Sequence, residues 1–243
     1  IDGGADDGGF MRALAAFRAA GGLGLNVTLP FKLQALAAAD QASDDARLAG
    51  AANALRFEGE RSEARNFDGI VLVRDIEVNL GLPLKGQRVL LLGAGGATRG
   101  ALAPIARAGA ARIVIANRTA GKAAALAQEM APHLPGTVVE GGGFGDLAPG
   151  DAFDIVINAT AASLAGEAPA VPASAFAAGA LAYDMVYGKG LTPFLKLAQA
   201  AGAARVADGV GMLVEQAAEA FAWWRGVRPD TRAVLQRLTV PLA

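Results

Sequence analysis

One stretch constrains this chain more than any other. The apolar run Val89-Leu90-Leu91-Leu92 enters Gly93-Ala94-Gly95-Gly96 and then opens into Ala97-Thr98-Arg99-Gly100. A short run with no polar interruption, flanked by glycine, suits a strand covered on both faces of a parallel sheet. Arg112 to Ala116, Asp154 to Asn158 and Leu181 to Met185 repeat the pattern, and Arg99 to Arg107 and Lys122 to Met130 read as helices between them. Strand and helix alternating at this spacing predict βαβ units with right-handed crossovers. Glycines at the first strand–helix junction let the backbone turn tightly and approach a pyrophosphate, which the N–H groups of the helix start can hold. The strict G-x-G-x-x-G pattern fails at Thr98. The strand–turn–helix context still predicts dinucleotide binding, against the alternative of a tight turn without a ligand.

The end of the next strand selects the cofactor. Sites that prefer NAD place Asp or Glu there for the ribose hydroxyls. Here the sequence is Ile115-Ala116-Asn117-Arg118-Thr119, with Lys122 four residues beyond Arg118. Two cations and no carboxylate favour a 2′-phosphate, so NADP is expected; the competing reading is a solvated basic helix start.

The flanking segments differ. Phe10 to Ala20 has helical spacing and stops at Gly21-Gly22, Gly24 to Leu29 reads as a strand, and Asp40 to Ala54 as mostly helical with turn residues. Ala54 to Phe57 and Arg61 to Asn66 predict a hairpin about Glu58-Gly59-Glu60. Gly69 to Leu80 is amphipathic, and Gly211 to Trp224 and Thr231 to Leu238 are terminal helices. If that pair packs back on the first third, the central part is an insertion. The expectation is an α/β protein of two domains: a Rossmann-like NADP-binding domain over 69–208, inserted between two parts, 1–68 and 209–243, of an α/β substrate-binding domain.

Composition excludes several chemistries. With 243 residues, 53% hydrophobic and 19% charged, the chain is an ordered globular protein. A net charge of −1 gives no footprint for nucleic acid or an acidic membrane. There is no cysteine, and His133 is the single histidine, so thiolate metal sites, His clusters and a Ser-His-Asp triad are excluded by counting. Proton transfer must use Lys, Asp, Glu or Tyr. No membrane-length apolar run and no signal peptide occur, so the cytoplasm is expected, and Asn-x-Thr triplets at Asn26, Asn117 and Asn158 read as coincidence. His133 is expected in an exposed loop, Trp223 and Trp224 in packing, and Asp2, Asp6 and Asp7 in a mobile terminus rather than a cation site.

Two segments do not read as ordinary packing. Asn26-Val-Thr-Leu-Pro-Phe-Lys32 sets alternating polar side chains on a strand with a lysine just beyond a proline, and Asn66-Phe-Asp-Gly69 sets a carboxylate before a helix. A lysine beside an aspartate in a cleft suits alcohol–ketone interconversion, because the pair can pass a proton to or from the reacting oxygen. On residue chemistry alone, Lys32 and Asp68 are equally open to being separate surface residues.

These phrases, with Ala-Gly-Ala-Ala-Asn (49–53), Gly-Ala-Gly-Gly-Ala (93–97), Asn-Arg-Thr (117–119), Asn-Ala-Thr (158–160), Tyr-Asp-Met-Val-Tyr (183–187) and Asp-Gly-Val-Gly-Met-Leu-Val-Glu-Gln (208–216), resemble the shikimate dehydrogenase family, in order and over nearly the whole chain. The resemblance implies reversible NADPH-dependent reduction of 3-dehydroshikimate to shikimate, in aromatic amino acid biosynthesis, by a monomer or homodimer. It casts Lys32 and Asp68 as the catalytic pair, and Asn26, Thr28, Asn53, Tyr187 and Gln216 as substrate-binding. It gives the cofactor to Gly93, Gly95, Gly96, Ala97, Asn117, Arg118, Thr119 and Lys122, with Thr160, Met185, Gly209 and Met212 at the nicotinamide end. Lys122 stands where many members carry arginine. Two departures matter. The family's opening strand and Ser-x-Ser loop do not precede Ile1, so those carboxylate-binding hydroxyls are expected to be missing from this chain. Phe67 replaces the usual threonine and is expected to set a ring beside the substrate. The rival expectations are therefore a relative acting on quinate or an aminated shikimate analogue, and a catalytically silent NADP-binding module.

Overall fold

The computed structural model describes residues 8–188, 190–239 and 242; Asp2, Asp6 and Asp7 lie outside them. In chain order the elements are α1 (Gly9–Ala19), β1 (Gly24–Asn26), α2 (Lys32–Ala37), β2 (Gln41–Ala42), α3 (Asp44–Ala49), β3 (Ala54–Glu58), β4 (Arg61–Arg65) and α4 (Asp68–Arg74). There follow β5 (Arg88–Leu92), α5 (Gly96–Arg107), β6 (Arg112–Asn117), α6 (Ala120–Met130), β7 (Val138–Gly143), β8 (Phe153–Asn158), β9 (Phe176–Asp184), α7 (Pro193–Ala200), β10 (Arg205–Asp208), α8 (Val210–Arg225) and α9 (Arg232–Leu238).

The central elements form one six-stranded sheet, ordered β10-β9-β8-β5-β6-β7 and parallel throughout. The strand order reverses at β5, which lies between β6 and β8 although the chain runs β5, β6, β7, β8. Val89, Leu90, Leu91 and Leu92 are all fully buried because both faces are covered. Val89 and Leu91 pack with Leu72, Ile76, Leu102 and Ile105 on one side. Leu90 and Leu92 pack with Phe153, Phe194 and Leu195 on the other. This is the doubly wound sheet that the alternating pattern predicts.

Two of its strands were not expected from the sequence. β7 and β10 each have one neighbour, so neither carries the unbroken apolar run that marks an inner strand. β7 ends in three glycines; a side chain at Gly141 would collide with the Ala123 carbonyl of α6, so helix-to-strand contact sets that composition. The unexpected α7 does carry a start signal, since Thr192 accepts from the Leu195 N–H at 3.3 Å and proline follows at the first helical position.

The smaller sheet has the order β1-β3-β4-β2, with β3 and β4 joined as the predicted hairpin through Gly59 at φ 62°. β1 is three residues, shorter than the expected Gly24–Leu29. The expected helical Asp40–Ala54 is instead β2, α3 and an extended return. Ser43 caps α3 by accepting from the Ala46 N–H at 3.2 Å, and Gly50 ends it at φ 64°, which confines the helix to six residues. Helix α1 buries Phe10 and Leu14 against this sheet, with the rings of Phe10 and Phe31 stacked 5.3 Å apart.

Two helices join the layers. Helix α4 leaves the small sheet and crosses α5 so closely that a Cβ at Gly69 would strike the Gly100 carbonyl. Helix α8 returns from the large sheet and packs on α4, and the Trp224 indole N–H donates to the Leu55 carbonyl at 3.1 Å. Helix α9 rests on α8, and its Arg232, Leu235 and Gln236 line a groove with Asp75, Val78 and Leu80.

Candidate active site

Strand register brings the predicted cofactor loops to one edge. Leu92 pairs with Ala116 on β6 and with Asn158 on β8. Asn158 pairs with Asp184 on β9, and Asp184 with Asp208 on β10. The segments that begin at Gly93, Asn117, Ala159, Met185 and Gly209 therefore leave the sheet side by side at its carboxyl edge, around the point of strand reversal where open α/β sheets bind ligands.

The glycine loop has room for a guest. Gly93 adopts φ 104°, and a Cβ there would lie 2.9 Å from Thr160 Cγ2. The protein's own packing explains that glycine. Gly95 and Gly96 are different: neither has a positive φ, and a Cβ on either would meet nothing within 4 Å. They keep open a space at the start of α5, where unpaired N–H groups favour an anion. Thr98, at the failed third-glycine position, is fully buried and donates to the Gly93 carbonyl at 2.7 Å, fastening the turn. Arg118, Thr119 and Lys122 are exposed beside this loop, and the Asn117 side chain donates to the Thr119 carbonyl at 3.0 Å. The residues present thus fit a dinucleotide with an extra phosphate.

Beneath the far loops lies a polar network that sequence reasoning missed. The fully buried Asp184 carboxylate accepts from Asn158 at 3.0 Å, from Ser163 at 2.7 Å, from Thr192 at 2.5 Å and from the Val186 N–H at 3.1 Å. Asn158 accepts in turn from the Thr160 hydroxyl at 2.7 Å. Thr160 and the Met185–Tyr187 segment are thereby set by shared anchors. Tyr187 is half exposed over Gly209, where a Cβ would overlap the Met185 carbonyl. Met185 and Met212 are partly buried against the apolar layer behind the sheet.

The other wall is built by the small domain. Lys32 opens α2 and Asp68 opens α4, and Lys32 Nζ donates to Asp68 Oδ2 at 2.6 Å. The α4 dipole adds to the stabilisation of that carboxylate at the helix start. Asn53, fully buried, donates to Asp68 Oδ1 at 2.8 Å and accepts from the Phe67 N–H at 3.0 Å, which leaves one of its N–H groups uncommitted. Asn66 accepts from the Asp68 N–H at 3.0 Å and donates to the Ala51 carbonyl at 3.0 Å. An asparagine two residues before a helix-opening aspartate is a readable turn signal, because its side chain accepts the N–H two residues on. Asn26, Thr28, Lys32, Leu213 and Gln216 line one cleft of about 310 Å³, so helix α8 supplies its second side.

One expectation fails. Phe67 does not face this cleft: it is 3% exposed, packed with Ala54, Val71 and Ala220, and its ring meets Trp223 edge-on at 5.7 Å. Backbone direction at the start of α4 sends Asp68 outward and residue 67 into the core, where phenyl burial is favourable. Trp223 and Trp224 pack as expected, and His133 is exposed.

Comparison with known proteins agrees with this geometry. Residues 5–55 match the shikimate dehydrogenase substrate binding domain, 76–165 the shikimate / quinate 5-dehydrogenase domain and 209–239 the shikimate 5'-dehydrogenase C-terminal domain. A shikimate dehydrogenase (NADP(+)) of Aromatoleum aromaticum is 56% identical over 230 residues, which are 95% of this chain and 82% of that protein. The crystal structure of an Ael1 enzyme from Pseudomonas putida superposes with a TM-score of 0.91 at 57% identity, covering 100% of this chain and 87% of that one. Shikimate 5-dehydrogenase from Thermus thermophilus, in complex with NADP(H) and shikimate, superposes at 0.79 with 33% identity over 93% and 81% of the two chains. By sequence and by fold, this chain belongs to the shikimate dehydrogenase family.

Proposed function

We propose that this protein is an NADP-dependent oxidoreductase that interconverts 3-dehydroshikimate and shikimate. The observation that carries the reading is the Lys32–Asp68 contact of 2.6 Å at a cleft also lined by Asn26, Thr28 and Gln216. NADP, when bound, supplies or accepts the hydride. The Lys32 ammonium gives a proton to the substrate oxygen as the carbonyl is reduced and takes it back in the reverse direction. Asp68, held at Oδ1 by Asn53 and at its backbone by Asn66, orients that ammonium.

Asn26, Thr28 and Gln216 present amide and hydroxyl groups to the substrate, and Asn53 and Tyr187 complete the substrate-binding set. Gly93, Gly95, Gly96 and Ala97 receive the pyrophosphate; Asn117, Arg118, Thr119 and Lys122 the adenosine phosphate; and Thr160, Met185, Gly209 and Met212 shape the nicotinamide end. A division at 69 and 208 would set the cleft between the two domains, a usual location for a ligand. A cytoplasmic monomer or homodimer with no nucleic-acid partner fits the near-neutral charge and the absence of any membrane-spanning helix among the described residues.

The ground for a quinate or aminoshikimate reading was a ring at position 67 in the cleft, and that ring is in the core. Steady-state assay of the purified protein with shikimate, quinate and an amino analogue, each with NADP and NAD, tests the proposal. Turnover of shikimate with NADP is expected. NADP binding without turnover of any of them would reject it in favour of a silent module.

A further inference from the structure

Helix α4 carries Asp68 at its start and runs about two turns, roughly 10 Å, to Asp75. There the helix widens into a π-turn, Asp75–Asn79, with the Leu80 N–H donating to the Asp75 carbonyl at 2.9 Å. Single π-turns are often found at functional sites. Asp75 is 3% exposed and lies at the wall of an open groove, lined also by Val78, Leu80, Arg232 and Leu235, that shares no lining residue with the Lys32 cleft.

Three elements of the active site meet at this carboxylate. Asp75 itself ends the helix that presents Asp68. The Tyr183 hydroxyl donates to Asp75 Oδ2 at 2.8 Å from β9, two residues before Met185. Met212 on α8 packs against the apolar cluster that holds the Tyr183 ring. Against the carboxylate's other side lies Gly211, where any Cβ would overlap both carboxylate oxygens. Asn79 donates to Oδ1 at 2.8 Å and also to Glu215 of α8 at 3.2 Å. Glycine at 211 is thus required by Asp75, not by backbone conformation, since its φ is not positive. Tyr183 is fully buried, so its hydroxyl has no alternative partner in water.

Neither hydrogen bond to Asp75 comes from a cation, and an acid enclosed this way costs stability relative to an apolar residue. Burial foremost, and the nearby Glu215 and Asp208, push its carboxyl up from the ordinary aspartate value. A costly group at the meeting point of three active-site segments points to positioning. We propose that Asp75 and Tyr183 are positioning residues for the dehydrogenase reaction, fixing the Asp68 helix, the Met185–Tyr187 segment and the Met212–Gln216 face of α8 in one mutual geometry. Neither touches substrate or cofactor. The inference rests on the proposed reaction only for its kinetic arm.

The test uses the whole protein and three variants that attack the junction from different sides: Asp75→Ala, Tyr183→Phe and Gly211→Ala. With shikimate and NADP, kcat should fall roughly 10- to 100-fold for Asp75→Ala, as expected for a displacement near 1 Å between proton-transfer and hydride partners. Tyr183→Phe and Gly211→Ala should show smaller falls in the same direction, and Asp75→Asn should recover part of the loss. NADP affinity, measured by fluorescence titration, should stay within about twofold because the glycine loop is untouched. The deuterium isotope effect on kcat, with label at the transferred hydrogen, should rise.

Hydrogen exchange supplies a readout that needs no turnover. In Tyr183→Phe, which keeps the buried ring, exchange should quicken together in 68–74, 185–188 and 210–216 and remain unchanged in 93–100. If Asp75→Ala fails to fold, the other two variants decide. Unchanged exchange in those segments, or a fall in kcat matched by an equal loss of NADP affinity, overturns the inference. A wild-type protein without turnover overturns the proposed function instead, and the exchange result then judges the coupling alone.

Discussion

Helix α4 joins two carboxylate–cation centres that look alike on paper and behave differently. At its start, Asp68 meets Lys32 with side chains 17% and 23% exposed, one strong contact to the cation and a cleft above. Just past its end, Glu215 of α8 is 1% exposed and bonded to Arg74 at 3.0 Å, to Thr231 at 2.8 Å, to Asn79 at 3.2 Å and to Arg228. The second carboxylate has no lone pair left for a ligand and no route to water. The first has an accessible partner whose proton can move. A buried ion pair with every site filled fixes the packing of two domains, whereas a partly exposed pair at a cleft can do chemistry.

The largest expected break in this comparison comes from Lys32→Ala. Turnover should fall by about 10²- to 10⁴-fold with NADP affinity retained, as measured by steady-state kinetics with cofactor titration. Unchanged turnover would remove Lys32 from the reaction. The same substitution should cost less than about 1 kcal/mol of stability, because a partly solvated pair contributes little.

Glu215→Ala should reverse the pattern. Leaving Arg228 and Arg74 without their buried partner should cost about 3–5 kcal/mol in urea unfolding, measured against the wild type. A loss below 1 kcal/mol would show that the two centres do not differ as the geometry says. Third in size is the double substitution of Arg118 and Lys122 by alanine. It should weaken NADP by about 1.5–3 kcal/mol, tenfold or more in KM, and leave NAD unaffected, since only the 2′-phosphate loses charged donors.

The smallest effect is a pH dependence. Burial alone would push the Glu215 carboxyl up, but bonds from Thr231, Asn79 and Arg228, with the Arg228 charge, outweigh it and hold it below the ordinary value. Its stabilisation is therefore complete above the usual glutamate range, near pH 4.3, and is lost as pH falls through the lower folded value. Glu215→Gln should flatten the acid limb of a stability–pH curve. Asp208 carries the opposite sign: burial pushes it up, so its ionisation lowers stability as pH rises through the carboxylate range. Asp208→Asn should remove that decline.

The same contrast explains what could be read without coordinates. Inner strands such as β5 and β8 are legible because burial on both faces demands consecutive apolar residues. β7, β10 and β2 are not, because an edge strand needs only half that pattern. The open turn at Gly95 and Gly96 and the exposed Arg118 follow from the sequence, since backbone room and local charge act over a few residues. Asp75, Tyr183 and Glu215 were not, because their partners lie 108, 141 and 136 positions away in the chain. Phe67 was misplaced for the same reason: a ring next to Asp68 in sequence points the other way once Trp223 is behind it.

By itself the sequence determined a parallel sheet, and it raised the expectations of a glycine loop for a dinucleotide, cations for a 2′-phosphate, and a lysine and an aspartate for proton transfer. Those follow from periodicity, glycine placement and side-chain chemistry, which are local. Only the folded chain decided that Lys32 and Asp68 meet, that α8 closes their cleft, and that residue 67 is packing rather than pocket. Contacts between distant segments depend on how helices cross and strands align, and no short stretch of residues encodes that alone.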